Sequence, residues 1–366
     1  MENVVASAEF WKGKHVFITG HTGFKGAWLC LWLQKMGAIV TGYALDAPTA
    51  PNLFSAANVE NDMDSIFGDV RHLKNLATAL VKSNPDIVIH MAAQSLVQHS
   101  YQHPVDTFST NVMGTVNLLQ AVRQSENVRA VVIVTSDKCY ANNEWIWGYR
   151  ENEQLGGNDP YSSSKACTEI ITNAYVQSFF SDNDSSHTIA CATARAGNVI
   201  GGGDWSENRL LPDIFRSIEQ KTTLEIRHPE AVRPWQHVME PLNGYLLLAE
   251  NLYQHGKLYT GAWNFGPHAN DEKSVAWVIS KANSLLNNQV DVLLNNKHFM
   301  PESSILKLDC TKATSLLQWS PKWDIEMAIS KTLDWMEKYR QNENMNAFTH
   351  CQIEDYLSST GCLTHA

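Results

Sequence analysis

The sequence has little of what would mark several other classes of protein. Its seven cysteines are scattered, odd in number and never arranged as Cys-x-x-Cys, so neither a disulfide framework nor a zinc site is indicated. No His, Asp or Glu cluster has metal-ligand spacing. No stretch approaches the roughly eighteen apolar residues that cross a bilayer. Glu2 and Glu9 stand where a signal peptide would be basic. We therefore expect a cytoplasmic protein with no metal and no membrane partner.

Positive charge is also scarce. Twenty-eight Lys and Arg residues face 38 Asp and Glu residues, and the resulting formal charge of -10 would repel a nucleic-acid backbone. No nucleic-acid partner is expected, but a single phosphate group needs only a helix N-terminus or one or two arginines. With 366 residues, of which 44% are hydrophobic, the chain is long enough for two domains or one two-lobed unit with a sizeable core.

In the first half of the chain, short β-branched runs alternate with longer segments of helical period. This alternation is typical of an α/β fold, a Rossmann-type doubly wound parallel sheet with crossover helices. The predicted strands are 15–19, 39–44, 65–67, 87–90, 130–135 and 188–194, and the predicted helices are 23–36, 73–83, 104–124 and 161–180. After residue 195 the sequence becomes rich in Gly, Asn and Trp. There it predicts a helix near 212–220, a strand near 224–227, and helical patterns over 309–319 and 324–339.

These patterns predict two lobes that share the chain discontinuously. A Rossmann domain is expected over 10–195, with 239–268 returning to it. A smaller, discontinuous C-terminal substrate-binding lobe is expected over 196–238 and 269–340, because a long non-repetitive segment in a compact chain is usually functional. The polar residues 341–366 are predicted to form a C-terminal tail.

Three glycines, Gly20, Gly23 and Gly26, follow the first predicted strand and open the first predicted helix. Glycines at this spacing let the backbone turn tightly and approach a pyrophosphate at the helix N-terminus, so a dinucleotide is expected here. The same turn also contributes Thr22, Phe24 and Lys25. Asp46, after the second strand, is a candidate for the ribose hydroxyls and favours NAD over NADP. An exposed loop aspartate explains Asp46 equally well.

Further cofactor candidates follow the third and fourth strands, at the sheet edge where open α/β folds bind ligands. They are Asp69, Val70, Ala92, Ala93 and, in the next predicted helix, Asn111. Asp69 has an alternative role as the N-cap of helix 73–83, and the alanines have one as packing residues. Asn111 is a poor helix former, so we expect it to have a polar partner.

Tyr161 and Lys165 lie one turn apart at the start of a predicted helix. At this spacing the ammonium is expected to lower the pKa of the phenol toward neutrality, which would make Tyr161 a general base. The glycine turn, this Tyr-x-x-x-Lys pair and a strand running into Thr135 and Ser136 together resemble the short-chain dehydrogenase/reductase superfamily, in its extended branch that modifies nucleotide sugars. The resemblance implies bound NAD, with Ser136, Tyr161 and Lys165 as a catalytic set. It places Thr135, Tyr161 and Lys165 beside the cofactor.

Asp137 and Lys138 follow Ser136, at a position that differs between the epimerases and the dehydratases of this branch. Epimerases of this branch usually have small uncharged residues here, whereas dTDP-glucose dehydratases typically have Asp-Glu. Together with the segments GYRENE (148–153), RAGNVIGGGDW (195–205) and RPWQHV (233–238), the Asp-Lys pair resembles the CDP-glucose 4,6-dehydratases. The resemblance covers about residues 10–340. A solvated ion pair in a loop is the alternative for Asp137 and Lys138.

The resemblance implies an intramolecular redox dehydration of CDP-glucose. Tyr161 would take the proton of the sugar 4-hydroxyl as C4 gives a hydride to NAD. Lys138 would then remove the C5 proton, and Asp137 would protonate the departing 6-hydroxyl. Return of the hydride to C6 and of a proton to C5 would leave a 4-keto-6-deoxy sugar for deoxysugar and lipopolysaccharide O-antigen synthesis. Such roles require a lowered pKa for Lys138 and a raised pKa for Asp137.

The resemblance also implies substrate contacts and an assembly. Gln94, Asn198, Arg195 and Arg233 are the substrate-binding candidates, and a surface salt bridge, which would look the same in sequence, is the alternative for each arginine. Helices 104–124 and 161–180 are expected to pair in a homodimer or homotetramer. Three other functions remain open: a 4-epimerase, a dehydratase of another nucleotide sugar, and a non-catalytic NAD-sensing protein.

Overall fold

The computed structural model describes residues 4–180, 188–226, 228–294 and 305–359. The strands are β1 (His15–Thr19), β2 (Ile39–Ala44), β3 (Asp64–Phe67), β4 (Ile87–His90), β5 (Ala130–Val134), β6 (Ala190–Ala196), β7 (Val199–Ile200), β8 (Leu224–Ile226), β9 (Val232–Pro234), β10 (Gln236–His237), β11 (Gly261–Phe265), β12 (Glu272–Ser274) and β13 (Val292–Leu294). The α-helices are α1 (Ala8–Trp11), α2 (Phe24–Lys35), α3 (Leu53–Ala56), α4 (Leu73–Ser83), α5 (Val97–Gln102), α6 (Pro104–Phe108), α7 (Gly114–Arg123), α8 (Pro160–Tyr175), α9 (Leu210–Gln220), α10 (Met239–His255), α11 (Val275–Leu285), α12 (Thr311–Leu317), α13 (Ile325–Arg340) and α14 (Met345–Ser358).

Within the described residues, seven strands form one parallel sheet in the order β11-β6-β5-β4-β1-β2-β3. The predicted Rossmann-type fold is confirmed. The strand order reverses between β1 and β4, and such a reversal opens a crevice at the carboxyl ends of the strands, where ligands bind. The glycine turn after β1 and the loop after β4 both lie at this crevice.

The sheet is covered on both faces because its strands are apolar at successive positions. Val16 packs into the larger core cluster, which includes Trp28 of α2 and Leu246 of α10. The adjacent Phe17 points the other way, into a cluster that includes Leu118 of α7. Strands buried on both faces read as continuous hydrophobic runs, which is why β1, β2 and β4 have the predicted bounds.

The predicted helix 104–124 is not continuous. It consists of α6, a π-helical turn over Ser109–Met113, and α7. The backbone carbonyl of Asn111 accepts hydrogen bonds from the Thr115 hydroxyl (2.7 Å) and from the Thr168 hydroxyl of α8 (3.1 Å). Hydroxyls that compete for a helix carbonyl disturb the regular ladder, and π turns of this kind are frequent at functional sites.

In the described part of the second half of the chain, three two-stranded sheets pair β7 with β10, β9 with β12, and β8 with β13. Between these segments, β11 returns to pair with β6, and α10 packs on β5 and β6. The predicted strand 224–227 corresponds to β8, and its last residue lies outside the described residues. In the described ranges, the helices are too short or too polar to span a bilayer. The division into two lobes stays a prediction.

The expected tail over 341–366 is wrong for most of its length. Residues 345–358 form α14, which begins after Asn344 and packs on α2 and α13. The Tyr356 hydroxyl donates to the buried Glu240 carboxylate of α10 (2.7 Å). Met345, Ile353 and Tyr356 are buried, and Phe348 packs against the same core, so an apolar face holds α14 in place. Residues 360–366 lie outside the described residues.

Candidate active site

Two glycines of the turn after β1 are required by the packing of the protein itself. Gly20 has φ 81°, and a Cβ there would lie 2.7 Å from the backbone nitrogen of Ala92 in the loop after β4. A Cβ on Gly26 would lie 2.1 Å from the carbonyl oxygen of Gly20. At Gly20 the turn packs against the loop after β4. At Gly26 the start of α2 packs against the turn.

Gly23 is different because little protein surrounds it. Within the described residues, a Cβ there would meet the Gly20 carbonyl at 3.4 Å, an ordinary contact, and nothing else within 4 Å. Gly23 is the N-cap of α2 and lies at the point where the strand order reverses. An open glycine at a helix N-terminus fits a phosphate group, so this turn fits the pyrophosphate of a dinucleotide. Thr22 supports the turn by donating to the carbonyl of Leu45 after β2 (2.9 Å).

Lys25 points away from that open surface. Its ammonium donates to the Tyr245 hydroxyl of α10 (2.9 Å) and lies 5.0 Å from the centre of that ring. The pKa of Lys25 is lowered to about 7, mainly by burial and also by the positive charges of Arg209 and Lys165, while the negative charge of Asp137 raises it. Lys25 thus joins the glycine turn to the polar residues at the ends of β5 and α8. The adjacent Phe24 is half-buried, near Gly201.

The cofactor candidates after β2 and β3 are less well placed to contact a dinucleotide. Asp46 is exposed, two residues beyond β2. Asp69 accepts hydrogen bonds from the backbone nitrogen of Arg71 (2.9 Å) and from its guanidinium (2.6 to 3.0 Å). Partial burial raises the Asp69 pKa, but these bonds outweigh it and hold that pKa below its usual value. Asp69 is not the cap of α4, whose N-cap is His72. Val70 is buried against Gly114.

The loop after β4 is held in place by side chains from neighbouring elements. The Thr19 hydroxyl accepts from the backbone nitrogens of Met91 (3.1 Å) and Ala92 (3.2 Å). The Asn111 amide accepts from the Gln94 backbone nitrogen (2.8 Å) and donates to the Gln94 carbonyl (3.0 Å) and the Ser164 hydroxyl (2.8 Å). Asn111 therefore has the expected polar partner, but that partner is protein and not cofactor.

Gln94, a substrate candidate, is also engaged within this loop. Its side-chain amide donates to Thr107 (2.9 Å) and to the Leu96 carbonyl (3.1 Å), and its oxygen accepts from the Leu96 nitrogen (2.6 Å). Ala93, between the held Ala92 and Gln94, is half-buried. Its small side chain leaves the carboxyl end of β4 open.

The structure brings Ser136, Tyr161 and Lys165 together as predicted. Burial raises the pKa of Tyr161 to about 12, and its hydrogen bond with Ser136 acts in the opposite direction. Lys165 donates to the Val134 carbonyl at the end of β5 (3.1 Å). Burial lowers the pKa of Lys165 to about 8. The expected lowering of the Tyr161 pKa toward neutrality is wrong for the protein alone, because desolvation of the phenol dominates.

Asp137 and Lys138 begin a short 3-10 turn that Ser136 caps. The Ser136 hydroxyl donates to one oxygen of Asp137 (2.9 Å), and the Lys138 ammonium lies 3.8 Å from the same oxygen. The Asp137 side chain is only 2% exposed, so a fully solvated ion pair is ruled out. Its second oxygen is buried and has no hydrogen-bond partner among the described residues.

The unpaired oxygen of Asp137 faces the loop between β6 and β7. It would lie 3.0 Å from a Cβ on Gly197, which precedes Asn198. The Asn198 carbonyl accepts from the Gln236 nitrogen (3.2 Å), which ties this loop to β10. Arg233, on β9, is buried and donates to the Val232 carbonyl (3.0 Å). Gly197, the chain neighbour of Asn198, therefore lies beside the Asp137 carboxyl group.

Arg195 and Thr135 both form hydrogen bonds with Glu169 of α8. The Arg195 guanidinium donates to the Glu169 carboxylate of α8 (2.8 Å) and to the Tyr140 hydroxyl (2.7 Å), and it is buried. The Thr135 hydroxyl donates to the other oxygen of Glu169 (2.5 Å). The hydrogen-bonding groups of both side chains thus meet a buried carboxylate. Neither presents those groups to a ligand in this arrangement.

The sequence and the fold were compared with known proteins. A family model described as GDP-mannose 4,6 dehydratase matches residues 17–332. The chain belongs to this dehydratase family. It is 49% identical to the CDP-glucose 4,6-dehydratase of Salmonella typhimurium over 352 residues, which cover 96% of this chain and 98% of the relative. It is 25% identical to a dTDP-glucose 4,6-dehydratase of Xanthomonas campestris, over 87% of this chain and 92% of that one. The resemblance drawn from the motifs is confirmed.

Solved structures of the same fold include nucleotide-sugar enzymes. The UDP-glucose 4-epimerase of Thermotoga maritima, solved with UDP-glucose, superimposes with a TM-score of 0.77 at 19% identity, covering 89% of this chain and 99% of that one. The dTDP-glucose 4,6-dehydratase of Bacillus anthracis, solved with NAD, gives 0.73 at 21% identity, covering 90% and 98%. At these identities the likeness establishes the fold.

Two members of the dehydratase site escaped the sequence reasoning. Glu169 accepts hydrogen bonds from three side chains behind the catalytic helix, and Tyr245 is the partner of Lys25. The spacing offered one signal for Glu169, because it follows Lys165 by one turn and Tyr161 by two. No local signal marks Tyr245, which lies 220 residues from Lys25.

Proposed function

We propose that this protein is a hydro-lyase that uses bound NAD to convert CDP-D-glucose to CDP-4-dehydro-6-deoxy-D-glucose. The observation that carries the proposal is the placement of Asp137 and Lys138 directly beside Ser136 and Tyr161. An acid and an amine at this point suit removal of a proton and of a hydroxyl from adjacent carbons. The relative at 49% identity bears the same activity in its name.

The glycine turn and the start of α2 would hold the NAD pyrophosphate, with Gly23 as the open contact and Ala93 beside the nicotinamide half. When bound, NAD accepts a hydride and later returns it. The rest of the chemistry belongs to side chains of this protein. The exposed Asp46 is our candidate for the adenosine ribose.

The first step is proton removal from the sugar 4-hydroxyl by Tyr161. In the protein alone, burial holds the Tyr161 pKa at about 12, so the phenol is protonated at neutral pH. Tyr161 requires added positive charge before it acts as a base. Lys165 and the positively charged nicotinamide ring of NAD would supply that charge. Ser136, hydrogen-bonded to Tyr161, would orient the 4-hydroxyl.

The second step is elimination of water across C5 and C6. Lys138, whose side chain is 28% exposed, would take the C5 proton that the 4-ketone has made acidic. Asp137 would protonate the departing 6-hydroxyl from its unpaired, buried oxygen. Asn198, which follows Gly197 in the chain, would contact the sugar, and Arg233 would bind the diphosphate, since a guanidinium suits two phosphate oxygens. Segments 196–238 and 269–340 would form the substrate lobe.

The activity is tested by incubating the purified protein with CDP-, dTDP-, UDP- and GDP-glucose and detecting the 4-keto-6-deoxy product by mass spectrometry. We expect turnover with CDP-glucose. A product of unchanged mass and inverted C4 would instead identify an epimerase. Binding of NAD without any turnover would identify a sensor.

The residue roles are tested with Lys138→Ala and Asp137→Asn. Both variants are expected to bind NAD and to oxidise C4, because neither side chain acts in that step. Both should lose elimination, so reduced cofactor should accumulate and absorb near 340 nm. Dehydration by Lys138→Ala at the wild-type rate would refute the role of Lys138.

We also propose a homodimer formed through α6, α8 and the π turn between α6 and α7. These elements pack on one another and expose four apolar side chains, Val105 (77%), Phe108 (37%), Met113 (51%) and Ile170 (57%). Adjacent exposed apolar side chains of this size are typical of an interface between proteins. When the same helices of two protomers contact each other, the result is a closed dimer with twofold symmetry.

A further inference from the structure

Glu169 is a buried carboxylate at the centre of a polar network behind the catalytic helix. It is 4% exposed and accepts hydrogen bonds from Thr135 (2.5 Å), Thr193 (2.6 Å) and Arg195 (2.8 Å). Thr135 follows β5, and Thr193 and Arg195 lie on β6. One side chain of α8 therefore ties this helix to two neighbouring strands.

The network reaches the catalytic residues through the end of β5. Lys165 donates to the Val134 carbonyl, and Glu169, one turn later, accepts from Thr135. Val134, Thr135 and Ser136 are consecutive. Helix α8 thus contacts Val134 through Lys165 and Thr135 through Glu169. These two contacts determine the position of Tyr161, on the same face of α8, relative to Ser136.

Glu169 is also a negative charge close to Lys165. Burial lowers the pKa of Lys165, and Glu169 is the largest influence that raises it, followed by Cys139 of the 3-10 turn. The charge of Lys165 in turn lowers the pKa of His90 of β4 and the pKa of Lys25 of α2. The guanidinium of Arg195 holds the Glu169 carboxylate in its ion pair, 2.8 Å away.

We propose that Glu169 is a positioning residue that keeps Lys165 charged and holds α8 in register with Ser136. The inference rests on the proposed function, since that function requires a charged Lys165 beside Tyr161. Glu169 itself does not touch the reacting atoms. It acts through Lys165 and through the end of β5.

The first test is the pH profile of kcat/KM for Glu169→Gln. Without the negative charge, Lys165 should lose its proton more easily, so the basic limb should move by roughly one unit to lower pH. Glu169→Asp keeps the charge and should keep the limb at the wild-type position, even with a lower kcat. Thr193→Val is the matched control, because it removes one hydrogen bond from Glu169 and no charge. A limb that moves equally in Thr193→Val and Glu169→Gln would overturn the inference.

Glu169→Gln leaves the buried Arg195 guanidinium without its carboxylate partner. This loss destabilises the folded protein, so the single variant risks unfolding. The double variant Glu169→Gln/Arg195→Met removes both charges and provides a folded alternative. Its basic limb should also lie at lower pH than that of wild type. An unshifted limb in this variant would count against the charge role of Glu169.

A second readout does not depend on turnover. The pKa of Lys165 is measured by NMR of 13Cε-labelled lysine, with its resonance identified by its loss in Lys165→Met. We expect an unchanged pKa in Glu169→Asp, and a lower pKa than in wild type in the folded variants that lack the carboxylate, Glu169→Gln and Glu169→Gln/Arg195→Met. An equal value would overturn the inference whatever the substrate, whereas a lower value without CDP-glucose turnover would refute only the proposed function.

Discussion

Gly23 and Gly26 lie three residues apart where the turn after β1 leads into α2, and the structure predicts different effects of replacing each by alanine. At Gly26 a Cβ would lie 2.1 Å from the Gly20 carbonyl and 2.9 Å from the Cα of His21, which are backbone atoms held by the packing of the turn. Overpacking costs about 3 kcal/mol at the upper end of its range. Alanine regains about 1 kcal/mol from helix propensity, which leaves a net loss of about 2 kcal/mol.

That loss is measurable by thermal unfolding of the protein without NAD. At roughly 2.1 cal/mol/K of unfolding entropy per residue over 366 residues, 2 kcal/mol lowers Tm by about 3 °C. Gly23→Ala meets no clash, has φ -78°, and changes only an N-cap without a side chain, so its loss should stay below about 1 kcal/mol.

The same two variants should differ in NAD affinity. A methyl group on Gly23 stands where we place the pyrophosphate, so Gly23→Ala should weaken NAD binding at least tenfold, or about 1.4 kcal/mol. Calorimetric titration with NAD measures this. A wild-type Tm in Gly26→Ala would contradict the predicted clash, and wild-type NAD affinity in Gly23→Ala would contradict the placement of the pyrophosphate.

Three further outcomes follow from the structure. Ile170→Asp should convert the proposed dimer to a monomer in light scattering, while Leu258→Asp, at an 82% exposed site in the turn after α10, should not. Burial lowers the pKa of His237 to about 3, so the unfolded chain takes up a proton below pH 6.5 that the folded protein does not. Between pH 6.5 and 5, protonation of this histidine in the unfolded chain should lower the free energy of unfolding by about 2 kcal/mol. The Tm of His237→Phe should therefore fall less than that of wild type between pH 7 and 5, and equal falls would contradict the assignment. Tyr356→Phe removes a hydrogen bond to the buried Glu240 and should lower the free energy of unfolding by about 1 to 2 kcal/mol in urea titrations. A change below about 0.3 kcal/mol would mean that α14 is not anchored there.

Much of the first half of the fold could be predicted because its signals are local. Strands buried on both faces need continuous β-branched runs, so β1 and β4 were predicted with their observed bounds. The glycine turn was recognisable because a tight strand-to-helix turn needs glycines at set positions. The break at Ser109–Met113 was missed, because it depends on a hydroxyl from α8 that reaches a carbonyl in another helix.

The sequence by itself determined the parallel α/β fold, the family and the residues that line the end of β5, because each of these depends on residues close together in the chain. Only the tertiary structure decided which of the charged candidates remain available to a ligand. Arg195 had the sequence features of a phosphate ligand, yet its guanidinium pairs with Glu169. Lys25 looked like a residue of the phosphate turn, yet it bonds to Tyr245. A buried charge must find a partner, and the nearest partner in space is set by how distant segments pack.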